Sequence, residues 1–242
     1  MSEPAQQDVT LYQFALCPFC NKVRAGLDLK GMSYRAVEVS PRDKKELPPL
    51  PEGAPQKVPV LKVGDDTLSD STVILEYLAE RKTEGFNFQL ADETDAKRSA
   101  EIEQWVDEAF IQALPTVIYG TVREAAQAAR VVARAGQYGP LQGLGVKLGG
   151  SIVMHLICKR ILKKAGRSDG HAWVSENVDQ FEEWLGEKDY VVGEALSIAD
   201  VAMHGAMCCV RDFPVFEQFM SRPLLRAWFD RVQAVRDEYR PN

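Results

Sequence analysis

The chain has 242 residues, of which 45% are hydrophobic and 26% charged, a composition that is typical of globular proteins and excludes a disordered or fibrous one. The length accommodates one large domain or two small ones. Basic residues number 29 and acidic residues 35, so the net charge is −6 and there is no basic excess to neutralise nucleic-acid phosphates. We therefore expect no nucleic-acid partner.

The five cysteines are too few and too irregularly spaced for a disulfide framework, which indicates a reducing compartment. The N-terminus lacks the basic and apolar regions of a secretory signal, so we expect a cytoplasmic protein. The most apolar stretch, residues 141–161, is interrupted by glycines and charged residues. These interruptions argue against a spanning helix and leave an interfacial segment open.

The first third of the chain alternates strand and helix patterns, as an α/β domain does. Residues 9–14 (VTLYQF) and 34–39 (YRAVEV) predict two strands, and residues 21–29 predict a helix between them. Residues 40–56 are rich in prolines and charges and predict a loop. Residues 58–68 predict a β-hairpin with a Gly-Asp turn.

After residues 84–92 every segment is predicted to be helical, so we place a domain boundary there. It separates an α/β domain at residues 1–83 from an all-helical domain at residues 93–242. Ser-Ile-Ala-Asp at residues 197–200 predicts a helix capping box. The predicted helices cover residues 102–113, with an interruption at Pro115, and residues 122–134, 151–164, 174–185, 197–209 and 225–232.

The most specific motif is Cys-Pro-Phe-Cys at residues 17–20, between a predicted strand and a predicted helix. In this context C-x-x-C is typical of thioredoxin-like redox proteins. A helix N-terminus favours thiolate, so we predict Cys17 as the nucleophile and Cys20 as the thiol that resolves a mixed disulfide. The alternative is half of a zinc site, for which the other three cysteines supply no second pair at ligand spacing.

A second motif, Val58-Pro59, begins a strand that is predicted to be central, where proline cannot donate to the ladder. A cis bond would accommodate it and leave the backbone of Val58 facing outward beside Cys17, free to pair with an extended thiol ligand. The alternative is an edge strand that begins with proline.

The third motif, Asp70-Ser71, begins a predicted helix. An acid and a hydroxyl at this place are ordinary helix caps. A helix N-terminus is also an anion site, so the alternative is that Ser71 holds a carboxylate while Asp70 binds an ammonium. Together they would then bind an amino-acid head group.

These three motifs, followed by a helical half with a capping box, resemble the glutathione transferase superfamily. In that superfamily a thioredoxin-like domain holds glutathione and a helical domain forms the second wall of the cleft. Within it, the chain is most similar to the type 2 membrane-associated prostaglandin E synthase family. The segments that carry the resemblance are residues 11–38, 57–61 (KVPVL), 68–74 (LSDSTVI), the Trp105 helix, 157–163 (ICKRILK) and 197–203 (SIADVAM).

The resemblance implies a thioredoxin- or glutaredoxin-like N-terminal domain and an all-helical, glutathione-transferase-like C-terminal domain. It implies glutathione as the cofactor and a small, apolar second substrate, and it allows a homodimer. Cys17 stands at the position of the catalytic thiol, with Cys20 as its partner. The implied glutathione contacts are Lys57, Val58, Pro59, Asp70 and Ser71.

Three departures from the family pattern matter. Phe14 stands where the family has a tyrosine, so a role of that hydroxyl is absent. Gln112 stands where a histidine is often found, which weakens the expectation that haem binds together with glutathione. The membrane-associated members carry an N-terminal anchor, whereas this chain begins almost at its first strand, so we expect a soluble protein.

Two classes of function remain open. The first is a glutathione-dependent enzyme in which Cys17 exchanges thiols and disulfides, or isomerises or conjugates an apolar substrate. The second is a non-catalytic module of the same fold that binds a ligand or partner. The Cys17/Cys20 pair favours the enzyme. An apolar acceptor is expected against residues 105–119 and the glycine-rich residues 136–150, although tight packing or a mobile loop explains those glycines slightly better.

A basic cluster lies near the end of a predicted helix at Lys159, Arg160, Lys163 and Lys164. Favourable placement against the helix dipole explains it without a partner. The alternative is peripheral contact with an anionic membrane surface.

Overall fold

The computed structural model describes residues 8–40, 43–135 and 151–241. The strands are β1 (Val9–Gln13), β2 (Arg35–Glu38), β3 (Val60–Val63) and β4 (Asp66–Ser69). They form one sheet in the order β2-β1-β3-β4. β1 and β2 are parallel, whereas β3 is antiparallel to both β1 and β4. The predicted hairpin is therefore present, and β3 is an interior strand.

Two helices accompany the sheet, α1 (Pro18–Leu29) and α2 (Ser71–Glu80). α1 is the crossover between the two parallel strands. It begins at Pro18, three residues before the predicted start, because proline fits the first turn of a helix, where its missing N–H is not needed. Val23 and Leu27 share one face of α1 and are fully buried.

The rest of the described chain is helical. A π-helical turn interrupts the long helix predicted over residues 102–113. The short helix Pro214–Met220 is absent from the prediction because seven residues show too little periodicity. The segments are α3 (Glu93–Trp105), the π-helical turn (Val106–Phe110), α4 (Ile111–Ala113), α5 (Pro115–Ile118), α6 (Val122–Ala135), α7 (Ser151–Lys164), α8 (Gly170–Leu185), α9 (Ile198–Cys208), α10 (Pro214–Met220) and α11 (Pro223–Tyr239).

The two parts of the fold meet where α1 packs against α9. A Cβ atom on Gly205 would lie 2.6 Å from the Cα atom of Lys22, so this close approach of the two helices requires glycine. Ser197 caps α9, and both its backbone N–H and its hydroxyl donate to Asp200 Oδ2. The predicted capping box thus positions one of the helices on which α1 rests.

No helix among the described residues is long and apolar enough to cross a membrane. The glycine-rich residues 136–150, expected to line the acceptor cleft or to form a packing or loop segment, lie outside the described residues.

Candidate active site

The sulfur of Cys17 lies at the N-terminus of α1. Cys17 is the N-cap residue, and its Sγ accepts a hydrogen bond from the backbone N–H of Cys20 at 3.4 Å. Cys17 is half-buried and Cys20 is buried. Because the first N–H groups of a helix and its dipole favour negative charge, this position stabilises a thiolate on Cys17.

The two thiols differ in acidity. A hydrogen bond from the Cys20 side chain lowers the pKa of Cys17 below its ordinary value, against the opposing effect of burial. Burial raises the pKa of Cys20 well above its ordinary value, and the hydrogen bond to Cys17 and the charge on Cys17 act in the same direction. Cys17 is therefore the acidic thiol of the pair, in the direction expected from the sequence, while its catalytic role stays a prediction.

Polar side chains fix the loop that carries Cys17. Glu38 Oε1 accepts a hydrogen bond from the Ala15 N–H at 2.6 Å. Asn21 Nδ2 donates to the Cys17 carbonyl at 3.0 Å, and Arg24 Nη2 donates to the Ala15 carbonyl at 3.2 Å. Strand β2 and helix α1 thus both hold the loop in place.

The Val58–Pro59 segment lies at the same end of the sheet as this loop. The bond between the two residues is cis, and the alternative of an edge strand is wrong because β3 lies between β1 and β4. Val60 is paired with Tyr12, next to the last residue of β1. Pro59 is buried, Val58 is half-buried and Lys57 is exposed.

The N-terminus of α2 adjoins this end as well, since Ser69 is paired with Val60. The side chain of Asp70 caps α2 by accepting a hydrogen bond from the Thr72 N–H at 2.9 Å. Asp70 is exposed, whereas Ser71 is buried. The capping interpretation is confirmed, and the binding of an amino-acid head group stays a prediction.

The sequence did not reveal a buried charged cluster behind the site. Lys22 Nζ of α1 donates hydrogen bonds to both Glu103 and Asp107. The Thr72 hydroxyl of α2 lies 2.9 Å from Glu103 Oε1 and 3.4 Å from Asp107 Oδ2. The four-residue spacing of the two acids places them on one helix face, but no local pattern relates them to Lys22, 81 residues before Glu103.

The environment of Asp107 favours its neutral form. Burial raises its pKa to about 6, the negative charges of Glu103 and Asp70 act in the same direction, and Lys22 opposes them. The side chain of Asp107 retains 20% exposure, against 0% for Lys22. Asp107 is therefore the more exposed of the two carboxylates, since the side chain of Glu103 retains only 3% exposure.

Tyr119 ends the helical segment that is expected to line the cleft. It follows α5, and burial raises its pKa, with negative charge on Cys209 and on Cys17 acting in the same direction. That residues 105–119 line the cleft beside Cys17 stays a prediction.

Haem and metal binding find no support at the residues considered. Gln112 is exposed and its amide donates to the Asp107 carbonyl at 3.2 Å, so this position offers no imidazole ligand. Within residues 8–40, 43–135 and 151–241, no group of three or more histidine, cysteine or acidic residues could hold a metal ion.

Two sequence families match the chain. They are the glutathione S-transferase N-terminal domain, at residues 11–85, and the glutathione S-transferase C-terminal domain, at residues 164–235. Prostaglandin E synthase 2 of Mus musculus is 26% identical, over 95% of this chain and 71% of its own length.

Solved structures share the fold. Beta-etherase LigF from Sphingobium sp. strain SYK-6 has a TM-score of 0.66 at 22% identity and covers 96% of this chain and 98% of its own. A glutathione S-transferase from Methylobacillus flagellatus KT, solved with glutathione bound, has a TM-score of 0.60 at 21% identity and covers 97% of this chain and 100% of its own. At these identities the likeness concerns the arrangement of strands and helices.

Proposed function

The chain belongs to the glutathione transferase superfamily, and we propose that it is a glutathione-dependent thiol enzyme with Cys17 as its nucleophile. The observation that carries this proposal is the position of Cys17 as the N-cap residue of α1, where its Sγ accepts a hydrogen bond from the Cys20 N–H at 3.4 Å. In the same direction, a hydrogen bond from the Cys20 side chain lowers the pKa of Cys17. A thiolate at neutral pH is what nucleophilic chemistry requires.

The simplest reaction is exchange with a mixed disulfide between glutathione and another thiol. The Cys17 thiolate attacks the glutathione sulfur, a Cys17–glutathione disulfide forms, and the other thiol leaves and takes up a proton. A second glutathione thiolate then attacks that disulfide, which releases oxidised glutathione and restores the Cys17 thiolate. The net change converts one mixed disulfide and one glutathione into one free thiol and one oxidised glutathione.

Cys20 provides an intramolecular branch of the same reaction. Two of the causes that raise the pKa of Cys20, its hydrogen bond to Cys17 and the charge on Cys17, disappear once Cys17 is in a mixed disulfide. Cys20 then ionises more readily and attacks Cys17, forming a Cys17–Cys20 disulfide and releasing glutathione. Cys20 therefore stays protonated while Cys17 is free, and it ionises more readily once Cys17 is in a mixed disulfide.

Glutathione would lie across the end of the sheet. We place its cysteine against the backbone of Val58 and its γ-glutamyl end at Asp70 and Ser71. Val58 lies two residues before Val60, and Asp70 directly follows Ser69, the β4 residue that is paired with Val60. Pro59 would fix the backbone conformation directly before β3, and the Lys57 ammonium would pair with a glutathione carboxylate. The apolar second substrate would lie towards Tyr119, on the helical side of Cys17.

Cysteine usage supports a reducing, cytoplasmic location, because the five cysteines are too few and too irregularly spaced for a disulfide framework. A homodimer is proposed only by analogy with the superfamily.

The decisive experiment measures reduction of a mixed disulfide of glutathione and 2-mercaptoethanol, together with glutathione conjugation to a panel of apolar electrophiles. Formation of prostaglandin E is included because the mouse relative is named for it. Cys17→Ser should abolish whichever activity is present. Cys158→Ser, which removes a buried thiol of the helical part, is the matched control and should retain it. Full activity in Cys17→Ser would refute the proposal.

The placement of glutathione is tested by calorimetry on Asp70→Ala combined with Ser71→Ala. We expect binding to weaken severalfold, with a stability loss of about 1 to 2 kcal/mol from the lost cap. Asp92→Ala is the matched control, because Asp92 caps α3 by accepting from the Asp95 N–H at 3.0 Å. Unchanged affinity in the double variant would show that the γ-glutamyl group binds elsewhere.

A further inference from the structure

The outward face of α7 combines exposed apolar and basic side chains. Leu156 is 55% exposed and Ile157 is 38% exposed, and the four basic residues of the helix are exposed beside them. A helical turn of 100° per residue places all six within one broad face. We call this set the basic face; it consists of Leu156, Ile157, Lys159, Arg160, Lys163 and Lys164.

Contacts on the opposite side fix this orientation. His155 Nδ1 lies 3.1 Å from the Tyr119 carbonyl, and the buried thiol of Cys158 lies 3.8 Å from the Thr116 carbonyl. These two residues point towards α5. The basic face therefore points away from the body of the protein.

The basic face has no acidic neighbour in the sequence of its own helix and no ion-pair partner among the residues that the structure describes. Between Ser151 and Ser168 the sequence contains no acidic residue, although the chain as a whole carries −6. Among the described residues, no salt bridge joins any of the four basic side chains to a carboxylate, whereas the nearby Arg167 pairs with Glu176. The helix dipole accounts for Lys163 and Lys164 in the last turn, but not for Lys159, for Arg160 or for the exposed apolar pair.

We propose that the basic face of α7 is a docking surface for anionic phospholipid membranes. The four cations would lie at the level of the lipid phosphates, and Leu156 and Ile157 would enter the boundary between head groups and acyl chains. Helices that bind membranes in this way lie parallel to the surface and combine basic and apolar side chains. Each Lys or Arg near an anionic surface contributes about 1 kcal/mol, which is roughly a fivefold change in affinity.

The apolar pair distinguishes a membrane from the other polyanion with matching charge, a nucleic acid. Base recognition in single strands uses aromatic side chains between the basic ones, and the basic face has none. Exposed Leu156 and Ile157 gain nothing against phosphates in water. They gain free energy when they are transferred from water into the lipid interface.

The test measures co-sedimentation of the full chain with vesicles of phosphatidylcholine alone and of phosphatidylcholine mixed with phosphatidylglycerol. We expect binding only to the mixed vesicles, and weaker binding at high salt. Lys163→Glu combined with Lys164→Glu should weaken binding by at least about tenfold. The matched control is Lys82→Glu combined with Lys97→Glu, which changes the net charge equally at exposed positions outside α7 and should retain most of the binding.

A second pair of variants tests the apolar contribution. Leu156→Ser combined with Ile157→Ser should weaken binding even at high salt, whereas Leu224→Ser, at a residue that is 39% exposed, should not. Equal binding to neutral vesicles, or equal losses in the two charge variants, would overturn the proposal. So would binding to a DNA duplex without binding to anionic vesicles.

Discussion

The described chain contains two pairs of closely spaced cysteines, at opposite ends of helices. Cys17 and Cys20 lie at the N-terminus of α1, whereas Cys208 and Cys209 lie at the C-terminus of α9. Hydrogen bonding lowers the pKa of Cys17, but burial raises the pKa of both Cys208 and Cys209. The acidic thiol is therefore found only at the helix end where the dipole is positive.

The comparison also shows that a nearby positive charge is not sufficient. Arg236 Nη1 lies 3.6 Å from Cys208 Sγ and lowers the pKa of that thiol, yet burial outweighs it. Cys17 is also opposed by burial, but the donors of Cys20 outweigh it. Short-range hydrogen bonds from the helix start, rather than a neighbouring guanidinium, distinguish the two pairs.

Each pair adjoins an ion pair between α1 and the helical part. Lys22, two residues after Cys20 in the sequence, pairs with Glu103 and Asp107. Arg236, which contacts the second pair, is bonded to Asp28 at 2.6 and 2.8 Å. The first cluster has two carboxylates for one lysine. One of these carboxylates, Asp107, can therefore take up a proton while the other remains paired with Lys22.

Removal of the thiols of each pair should give the largest difference in turnover. Under the proposed function, Cys17→Ser should lower turnover by about a thousandfold or more, because the nucleophile is lost. Cys208→Ala combined with Cys209→Ala should leave turnover almost unchanged. Steady-state assays with the mixed disulfide measure both, and a comparable loss in the double variant would mean that the second pair takes part in the chemistry.

Removing Lys22 should have the next largest effect. Lys22→Met leaves Glu103 and Asp107 without their buried cation, which should cost about 3 to 5 kcal/mol in the free energy of unfolding. Urea denaturation measures this loss, with Lys62→Met as a control at an exposed lysine of β3. A loss as small as that of the control would show that the cluster does not hold α1 against α3.

Asp107 gives the cluster a pH dependence. Its folded-state pKa of about 6 lies above the ordinary value of 3.8, so the folded state binds the proton more tightly than the unfolded state. Protonation of Asp107 therefore stabilises the folded state at pH 4, and this stabilisation is lost as the pH rises through 6. Asp107→Asn should therefore gain stability relative to the parent protein between pH 4 and pH 7, by about 1 to 3 kcal/mol.

Thermal denaturation across this pH range compares the two proteins, with Asp65→Asn in the exposed hairpin turn as the control. If the difference in melting temperature between the parent protein and Asp107→Asn stayed constant across this pH range, the raised pKa of Asp107 would be contradicted.

The smallest expected effect is the contribution of Cys20 to the acidity of Cys17. Cys20→Ala removes the side-chain donor that contributes most to lowering the pKa of Cys17, so the pKa of Cys17 should rise and the pH at which its alkylation becomes fast should rise with it. Alkylation rates of Cys17 against pH measure the shift. Cys209→Ala is the control, and an unshifted profile in Cys20→Ala would assign the acidity to the backbone of α1 alone.

Much of the candidate site was predictable because it depends on short-range sequence. The CPFC motif is next to the start of a helix, Asp70 is a helix cap, and Ser197 with Asp200 forms a capping box. Each depends on contacts within four residues along the chain. The other partners of Asp200, the Val191 N–H and the Trp228 indole at 2.9 and 2.8 Å, were not predictable because Trp228 is 28 residues away in sequence.

Local sequence is enough to place Cys17 at the beginning of a helix, since strand, turn, proline and helix follow one another along the chain. Tertiary packing alone explains why Lys22 faces Glu103 and Asp107 and why Arg236 reaches Asp28. The physical reason is that burial and ion pairing depend on which surfaces meet when α1 packs against the helical part. No local pattern of residues encodes that contact.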